Sequence, residues 1–582
     1  MDLALPAIDP SAPAPAAPPL DAPPPTPAAD LDRAAAELAE RAPSFASTPA
    51  RERAALLRAV LPRLRDAAPE IAAIACRAKG VDPGSPAAGE EWIFGPDAVI
   101  AYVRLLAEAL DDIASRGRPA LSAAGMGRLP DGRLVASLAP RRWSERAALG
   151  GASAAVIFAE GVQPEDAIAA QAPAYRRAAS EGVALVLGAG SASAPAPMDA
   201  LHALFVEGKV TLLKTSPLAA ALGPPLERAL SPLVERGFLR VVHGGAEEGA
   251  HLAAHPAVTS VHLTGSAETF DALVWGPPGP EREARRAASD PALKKPVTAA
   301  LGGVNPVMIV PSFYSKSELW YLARGLASAV AANAGCHCFA PRVLVLPARW
   351  PQRALLLDML LRAFAQIPPR QAFHPGAAAR HARLAGDRPG VLRAGAEGPP
   401  GTLPWTIVPS LDPWDPGEPL LATDPFCPVL SIADVGSDDP VEYLAEATRF
   451  CNDRLAGTLA AEIVVHPADE DDPTIEAALE RAMVLLRYGA LGINQWPGLL
   501  FAMGAPPWGG HPSTTLAAPG SGLGLGHDAR MLGRVDKAVV RGPLHRPVRP
   551  PWFYDKRRAR RIGERLAAFH AAPGVRRLAG VV

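Results

Sequence analysis

VALVLGAGSASAPAPMDALHALFVEGKVTLLK, residues 183–214, reads as a buried strand, a helical window and a second buried strand. The strand runs are VALVLG (183–188) and KVTLLK (209–214), short and continuously apolar, and the window between them spans 198–206. Two strands joined through a helix make the unit of a parallel sheet, because a parallel pair cannot be closed by a tight turn. The same texture extends outward. AAVIF (154–158), FLRVVHG (238–244), SVHLTG (260–265) and PVMIV (306–310) are further strand candidates, with helical windows at 221–235 and 246–255. Together they predict an α/β protein with a largely parallel, doubly wound sheet.

A second α/β stretch runs over 296–500 and contains RVLVL (342–346), LSIADV (430–435) and AAEIVVHP (460–467). On the amino-terminal side, Leu56, Leu57, Val60, Leu61 and Leu64 recur at helical spacing, and 98–115 continues in the same way. RLPDGRLVAS (128–137) puts Pro-Asp-Gly between short alternating runs, the mark of a hairpin turn. Residues 1–30 are mostly Pro and Ala and cannot bury enough surface to offset their ordering entropy, so a disordered leader is expected there. The expected organisation is that leader; a cofactor-binding region over 31–295 with a bridging hairpin near 125–150; a catalytic region over 296–500; a return to the cofactor and bridging region over 501–545; and a basic extension over 546–582. KRRARR (556–561) is expected on a helix of that extension, as a solvated face.

A chain of 582 residues with 49% hydrophobic and 20% charged residues can build more than one core. Its formal net charge of -1 offers no basis for nucleic acid or an anionic membrane as partner. No apolar run reaches the ~18 residues of a membrane helix. The opening Met-Asp-Leu lacks a basic region followed by an apolar run, and five scattered cysteines fit a reducing compartment, so the expected location is the cytoplasm.

NAGCHCFAPRVLV (333–345) is the segment with chemistry in it. A thiol ahead of a buried strand can attack an aldehyde as thiolate, and the resulting thiohemiacetal can lose hydride. A working nucleophile of this kind needs an acidified thiol. The competing readings are a buried structural pair, Cys336 and Cys338, or a metal held by both with His337 between them; no second ligand cluster supports a metal.

The segment resembles the nucleophile segment of the aldehyde dehydrogenase superfamily, Gly-x-x-Cys before a strand, which puts Cys338 at the catalytic position. Other segments are similar to that family's in its order: KTSP (214–217), SVHLTGSAET (260–269), ALGGVNPVMIV (300–310), DPFCPVLSI (424–432), NDRLAGTLAAEIV (452–464), and YGALGINQW, PPWGGHP and SGLGLGHD within 488–528. The resemblance spans roughly 150–540 and implies a Rossmann-type cofactor lobe, a catalytic α/β lobe and a bridging hairpin. It implies NAD or NADP as cofactor, with Lys214 at the adenosine ribose or its phosphate, Gly265 and Ser266 at the pyrophosphate, and Asp424 and Phe426 at the nicotinamide ribose. Ser191 falls where the family has its oxyanion asparagine, and Trp496 lies in a segment that shapes the substrate entrance. Pro217 replaces a ribose-binding Glu, which removes a charge that would repel the phosphate of NADP. The implied partner is a small aldehyde or an acyl thioester, and the implied assembly is a homodimer paired through the bridging segments.

Two departures bear on activity. Ala300 stands where the family has the Glu that activates water, and Gly524 where it has another acid. Alanine cannot take a proton, so hydrolysis of a thioester has no assigned base. Three readings stay open: a hydrolytic enzyme in which His337, His527 or a water serves; an acylating enzyme, similar to acyl-CoA reductases, that releases the thioester to coenzyme A; or a silent relative with a nucleotide-binding or assembly role. The Gly-Glu-Glu-Trp segment at 89–92 and the long carboxyl-terminal extension resemble a longer branch of the superfamily with acyl-reductase-like members.

Overall fold

The computed structural model describes residues 22–121, 125–176 and 181–578. Its frame is two sheets. The first has six strands in the order Gly522–Leu523, Val297–Leu301, Val258–Gly265, Val183–Leu187, Val210–Thr215 and Leu239–His243, all parallel except the first. Pro195–Phe205 is the crossover helix of the opening unit, with proline at its first turn, where a missing N–H costs no bond. Val183–Leu187 is buried throughout, as a central parallel strand covered on both faces should be.

The second sheet has eleven strands. Seven are parallel neighbours: Val535–Arg541, Ala490–Ile493, Ala460–Val464, Asn305–Ile309, Pro341–Leu346, Val429–Asp434 and Trp405–Leu411. The hairpin Met126–Arg128 and Leu134–Ala139 extends one edge through Ser153–Phe158, which pairs antiparallel with both Leu134–Ala139 and Val535–Arg541. AAVIF therefore belongs to the second sheet, although in sequence it directly precedes the first. Apolarity marks a strand as buried, but the partner that completes its ladder comes from the far end of the chain.

Helices Ala28–Ser47, Ala50–Ala78 and Ala98–Arg116 pack Leu38, Phe45, Leu57, Val60 and Tyr102 into the core of the first sheet. The first helix begins at Ala28, inside the expected leader, and just before it Thr26 exchanges hydrogen bonds with His243. Residues 1–21 of that leader lie outside the described residues. Lys556–Arg558 of the basic run precede helix Ala559–Ala571, which carries the remainder. That helix crosses Gly89–Trp92 so closely that a Cβ on Gly563 would lie 2.5 Å from Trp92 Cβ. Among the described residues no helix is long and apolar enough to cross a membrane.

Candidate active site

The sheets meet at the loop between helix Lys316–Ala331 and strand Pro341–Leu346. Asn333, Ala334 and Gly335 turn that loop with φ of 55°, 54° and 76°, three successive left-handed residues. For Asn and Ala each such conformation costs about 1–3 kcal/mol and persists only where surroundings enforce it. Here they do. A Cβ on Gly335 would lie 2.6 Å from the Cys427 carbonyl carbon, so this position admits glycine alone. Asn333 Nδ2 donates to Cys336 O (2.8 Å) and to Ser191 O (2.9 Å), tying the cysteine loop to the first sheet's lobe. Asn333 N donates to Glu90 Oε2, and Arg370 holds the other oxygen of Glu90 at 2.5 Å.

Cys338 sits at the open end of this loop and is the one cysteine of five that is not fully buried. Its carbonyl accepts from Asn305 Nδ2 (2.7 Å), which also reaches Ala340 O. Cys336 is buried and directs its thiol to Phe426 O at 3.5 Å. The two thiols therefore do different things, and the loop is no cysteine pair. Among the described residues no cluster of His, Cys, Asp and Glu could hold a metal ion.

The resting thiol is not acidified. Burial pushes Cys338 up to about 12, Asp424 adds to the rise, and Arg342 opposes it only weakly. The reason is visible in the partners of Arg342. Its guanidinium spans Cys427 O, Gly335 O and His337 O, and its Nε lies 2.8 Å from Asp424 Oδ1. Arg342, the cation that acts on the Cys338 thiol, is thus consumed in holding the shape of the loop.

Beside the cysteine, His337 stacks on Phe339 at 4.5 Å and meets Phe94 edge-on. Burial first, and then Lys79, lower His337 to about 3, so its ring is a poor base at neutral pH. Trp496 closes the aromatic group, with Nε1 donating to Phe339 O at 3.1 Å.

The expected cofactor residues line the carboxyl edge of the first sheet. Lys214 is in register with Leu187, Leu187 with Leu263, and Gly265 ends that third strand. Burial lowers Lys214 to about 8, with Glu248 opposing. Its ammonium donates to Gly244 O (2.6 Å) and Thr215 O (3.4 Å) and has no carboxylate at ion-pair distance among the described residues, leaving a donor for a ligand. Ser266 caps helix Ala267–Trp275 by accepting from Thr269 N, beside exposed Gly265, and a helix start of this kind favours phosphate. Asp424 Oδ1 is taken by Arg342 and by Phe426 N, whereas Oδ2 is buried without a partner, 2.7 Å from where a Cβ on Gly302 would stand. That orphan acceptor over a glycine cleft fits a sugar hydroxyl. The Ser191 hydroxyl makes no hydrogen bond among the described residues, while its backbone contacts the cysteine loop through Asn333.

Ala300 and Gly524 line one cavity of about 450 Å³. Facing it are Asp199, His202, His262 and His527, with His527 Nε2 at 2.7 Å and His262 Nε2 at 3.4 Å from Asp199 Oδ1. Burial penalises the Asp199 charge, yet the two rings hold its carboxyl well below the usual range. Burial likewise opposes a charge on His262, but Asp199 raises it. His527 Nδ1 is buried and has no partner.

Sequence reasoning missed Arg342, Asn305 and Glu90, the three side chains that shape the loop. Each left a signal: a charge inside PRVLVL, an amide opening NPVMI, and paired acids in the Gly-Glu-Glu-Trp segment.

A six-stranded, mainly parallel sheet joined at a cysteine loop to a second, larger parallel sheet defines a two-lobed α/β class with a dinucleotide-type lobe. Residues 149–379 match the aldehyde dehydrogenase family. The match covers well under half of the chain, and beyond it the likeness to solved aldehyde dehydrogenases is one of fold, over nearly all of its length. It is similar to the NADP-dependent glyceraldehyde-3-phosphate dehydrogenase of Bacillus halodurans, solved with NADP, at 17% identity and a TM-score of 0.59 over 89% of this chain and 92% of that one. An aldehyde dehydrogenase of Pseudomonas syringae, solved with NAD+ and octanal, gives 16% and 0.58 over 90% of each chain. The NAD-dependent aldehyde dehydrogenase of Sinorhizobium meliloti gives 19% and 0.59 over 90% and 89%. A comparison with curated protein sequences finds no match.

Proposed function

We propose that this chain is an NAD(P)-dependent aldehyde oxidoreductase that works through a thioester on Cys338. The observation that carries the reading is the position of Cys338: the one cysteine not fully buried, on a strained loop that Asn333 fastens to the dinucleotide-type lobe. Relatives of the same fold have been solved with NADP and with NAD+. Lys214 would hold the adenosine ribose or its phosphate, Gly265 and Ser266 the pyrophosphate, and Asp424 Oδ2 a hydroxyl of the nicotinamide ribose, with Phe426 shaping that end. When bound, the oxidised nicotinamide supplies a hydride acceptor and a positive ring. Cys338 would release its proton to water and add to the aldehyde carbon; the Ser191 hydroxyl and the backbone N–H groups of the loop would hold the oxyanion; and that carbon would give up its hydride to the nicotinamide acceptor, leaving the thioester on Cys338.

A second reading concerns how the thioester leaves. Ala300 offers no base, and an acid–base pair that lines the same cavity is His527 with Asp199. Coenzyme A, whose thiol is far more acidic than water, needs no such base. The test follows nicotinamide absorbance with a panel of aldehydes, with and without coenzyme A, for the wild type and Cys338→Ala. Turnover that requires Cys338 supports the proposal, and dependence on coenzyme A selects the acylating form. Dinucleotide binding with no Cys338-dependent turnover on any aldehyde overturns it in favour of a silent relative.

A further inference from the structure

We propose that the carboxyl-terminal extension closes a pocket for an amphiphile with an anionic, acceptor-only head, seated on Arg530. A cavity of about 150 Å³ lies between helix Ala98–Arg116, helix Gly498–Met503, the bridging hairpin and helix Ala559–Ala571. Its walls are aliphatic and aromatic, with Leu105, Leu138, Met503, Leu566 and Phe569 among them. Arg530 lines it at 2% exposure.

The polar atoms left unpaired on the residues that line this cavity are of one kind. Arg530 Nε and Nη1, Arg104 Nε, Arg546 Nε and Trp552 Nε1 are all buried without a hydrogen-bond partner, and all are donors. None of the buried acceptors that lack a partner belongs to a residue lining it. Two carboxylates line the cavity and others lie near it, and all are engaged elsewhere: Asp97 on His570, Glu145 on Arg141 N, Glu108 on Arg104, Asp112 on Arg116 and Ala120 N, and Asp528 on Arg530 N and Leu532 N. Arg530 has no carboxylate at ion-pair distance among the described residues, and burial lowers it to about 10. A buried guanidinium without a partner is costly, so a chain that keeps one has a use for it. Five donors among apolar walls match a carboxylate or phosphate monoester on a short aliphatic tail.

The cavity is separate from the cysteine site, because Phe501 of the intervening helix packs against Phe339 on the cysteine side while Leu499, Ala502 and Met503 face the cavity. The proposal therefore stands whether or not Cys338 turns over. Helix Ala559–Ala571 supplies Leu566, Phe569 and His570, and the segment before it supplies Trp552, so the extension forms one wall.

Calorimetric titration of the full chain with octanoate, octyl phosphate, 1-octanol and octylammonium tests this. At least one of the two anions should bind tenfold or more tighter than octanol, and octylammonium should not bind; whichever anion wins identifies the head group. Arg530→Met should remove that preference while leaving the melting temperature equal or higher, since it deletes an unpaired buried charge. Leu566→Trp, which fills the cavity, should abolish anion binding and serves if Arg530→Met does not fold. Octanol binding as tightly as both anions, no binding by either anion, or anion binding that survives either folded variant overturns the proposal.

Discussion

Alkylation of Cys338 by iodoacetamide, followed by peptide mapping against pH, probes the electrostatics of the loop directly. A rise from the ordinary 9.0 to about 12 lowers the thiolate fraction at neutral pH about a thousandfold. Higher basicity makes the surviving thiolate more nucleophilic, by roughly 15- to 30-fold for a Brønsted slope near 0.4–0.5. The ligand-free protein should therefore label at Cys338 about 30–60 times more slowly than an exposed reference thiol. Its rate should climb about tenfold per pH unit through pH 9 with no plateau. Oxidised dinucleotide should accelerate labelling and the reduced form should not, because only the oxidised ring is a cation. A plateau below about pH 8 without ligand would refute the reasoning, since it would mean that Arg342 is free to stabilise the thiolate rather than consumed by Asp424 and three carbonyls.

The remaining predictions concern the frame and the missing base. Burial alone raises Glu462 from 4.5 to about 8. The folded chain thus holds a proton that the unfolded chain has released between those values, and stability falls as pH rises through that window, by up to ~4–5 kcal/mol. In urea melts Glu462→Gln should match the wild type below pH 4.5, exceed it at pH 8, and flatten the slope between. Gly335→Ala must place a Cβ 2.6 Å from the Cys427 carbonyl carbon and should cost ~3 kcal/mol or more in thermal melts. Ala300→Glu adds a carboxylate to a roomy cavity, and coenzyme A-independent aldehyde oxidation should rise at least tenfold if water activation limits turnover; no gain in steady-state rate would remove the missing base as the explanation.

Four of the six strands of the first sheet were legible as short β-rich runs between helical windows, whereas Val297–Leu301 and the two-residue Gly522–Leu523 carry no such run and were not. The second sheet was only half legible. Ser153–Phe158 reads as a buried strand, yet its partner Val535–Arg541 lies almost four hundred residues away, and periodicity carries no information about partners. At the site, residue types were legible and their employment was not. Asp424, which the resemblance puts at the nicotinamide ribose, has one oxygen paired with Arg342, and a strand arginine announces only that some anion or carbonyl set must meet it. Protonation was the least legible property, because the side chains that act on the thiol, Asp424, Arg342 and Asp199, come from segments far apart in sequence.

The two departures from the family pattern become one once their positions are known. Ala300 and Gly524 line the same cavity, and that cavity contains Asp199, held ionised by His262 and His527. A carboxylate at either position would share that cavity with Asp199, and like charges there push one another toward the neutral form. Keeping Asp199 ionised thus goes with an uncharged residue at 300 and at 524. A buried acid braced by imidazoles is compatible with the small residues at 300 and 524, and the absence of the glutamate that the resemblance implies then reads as the exchange of one charge arrangement for another rather than as the erosion of a site.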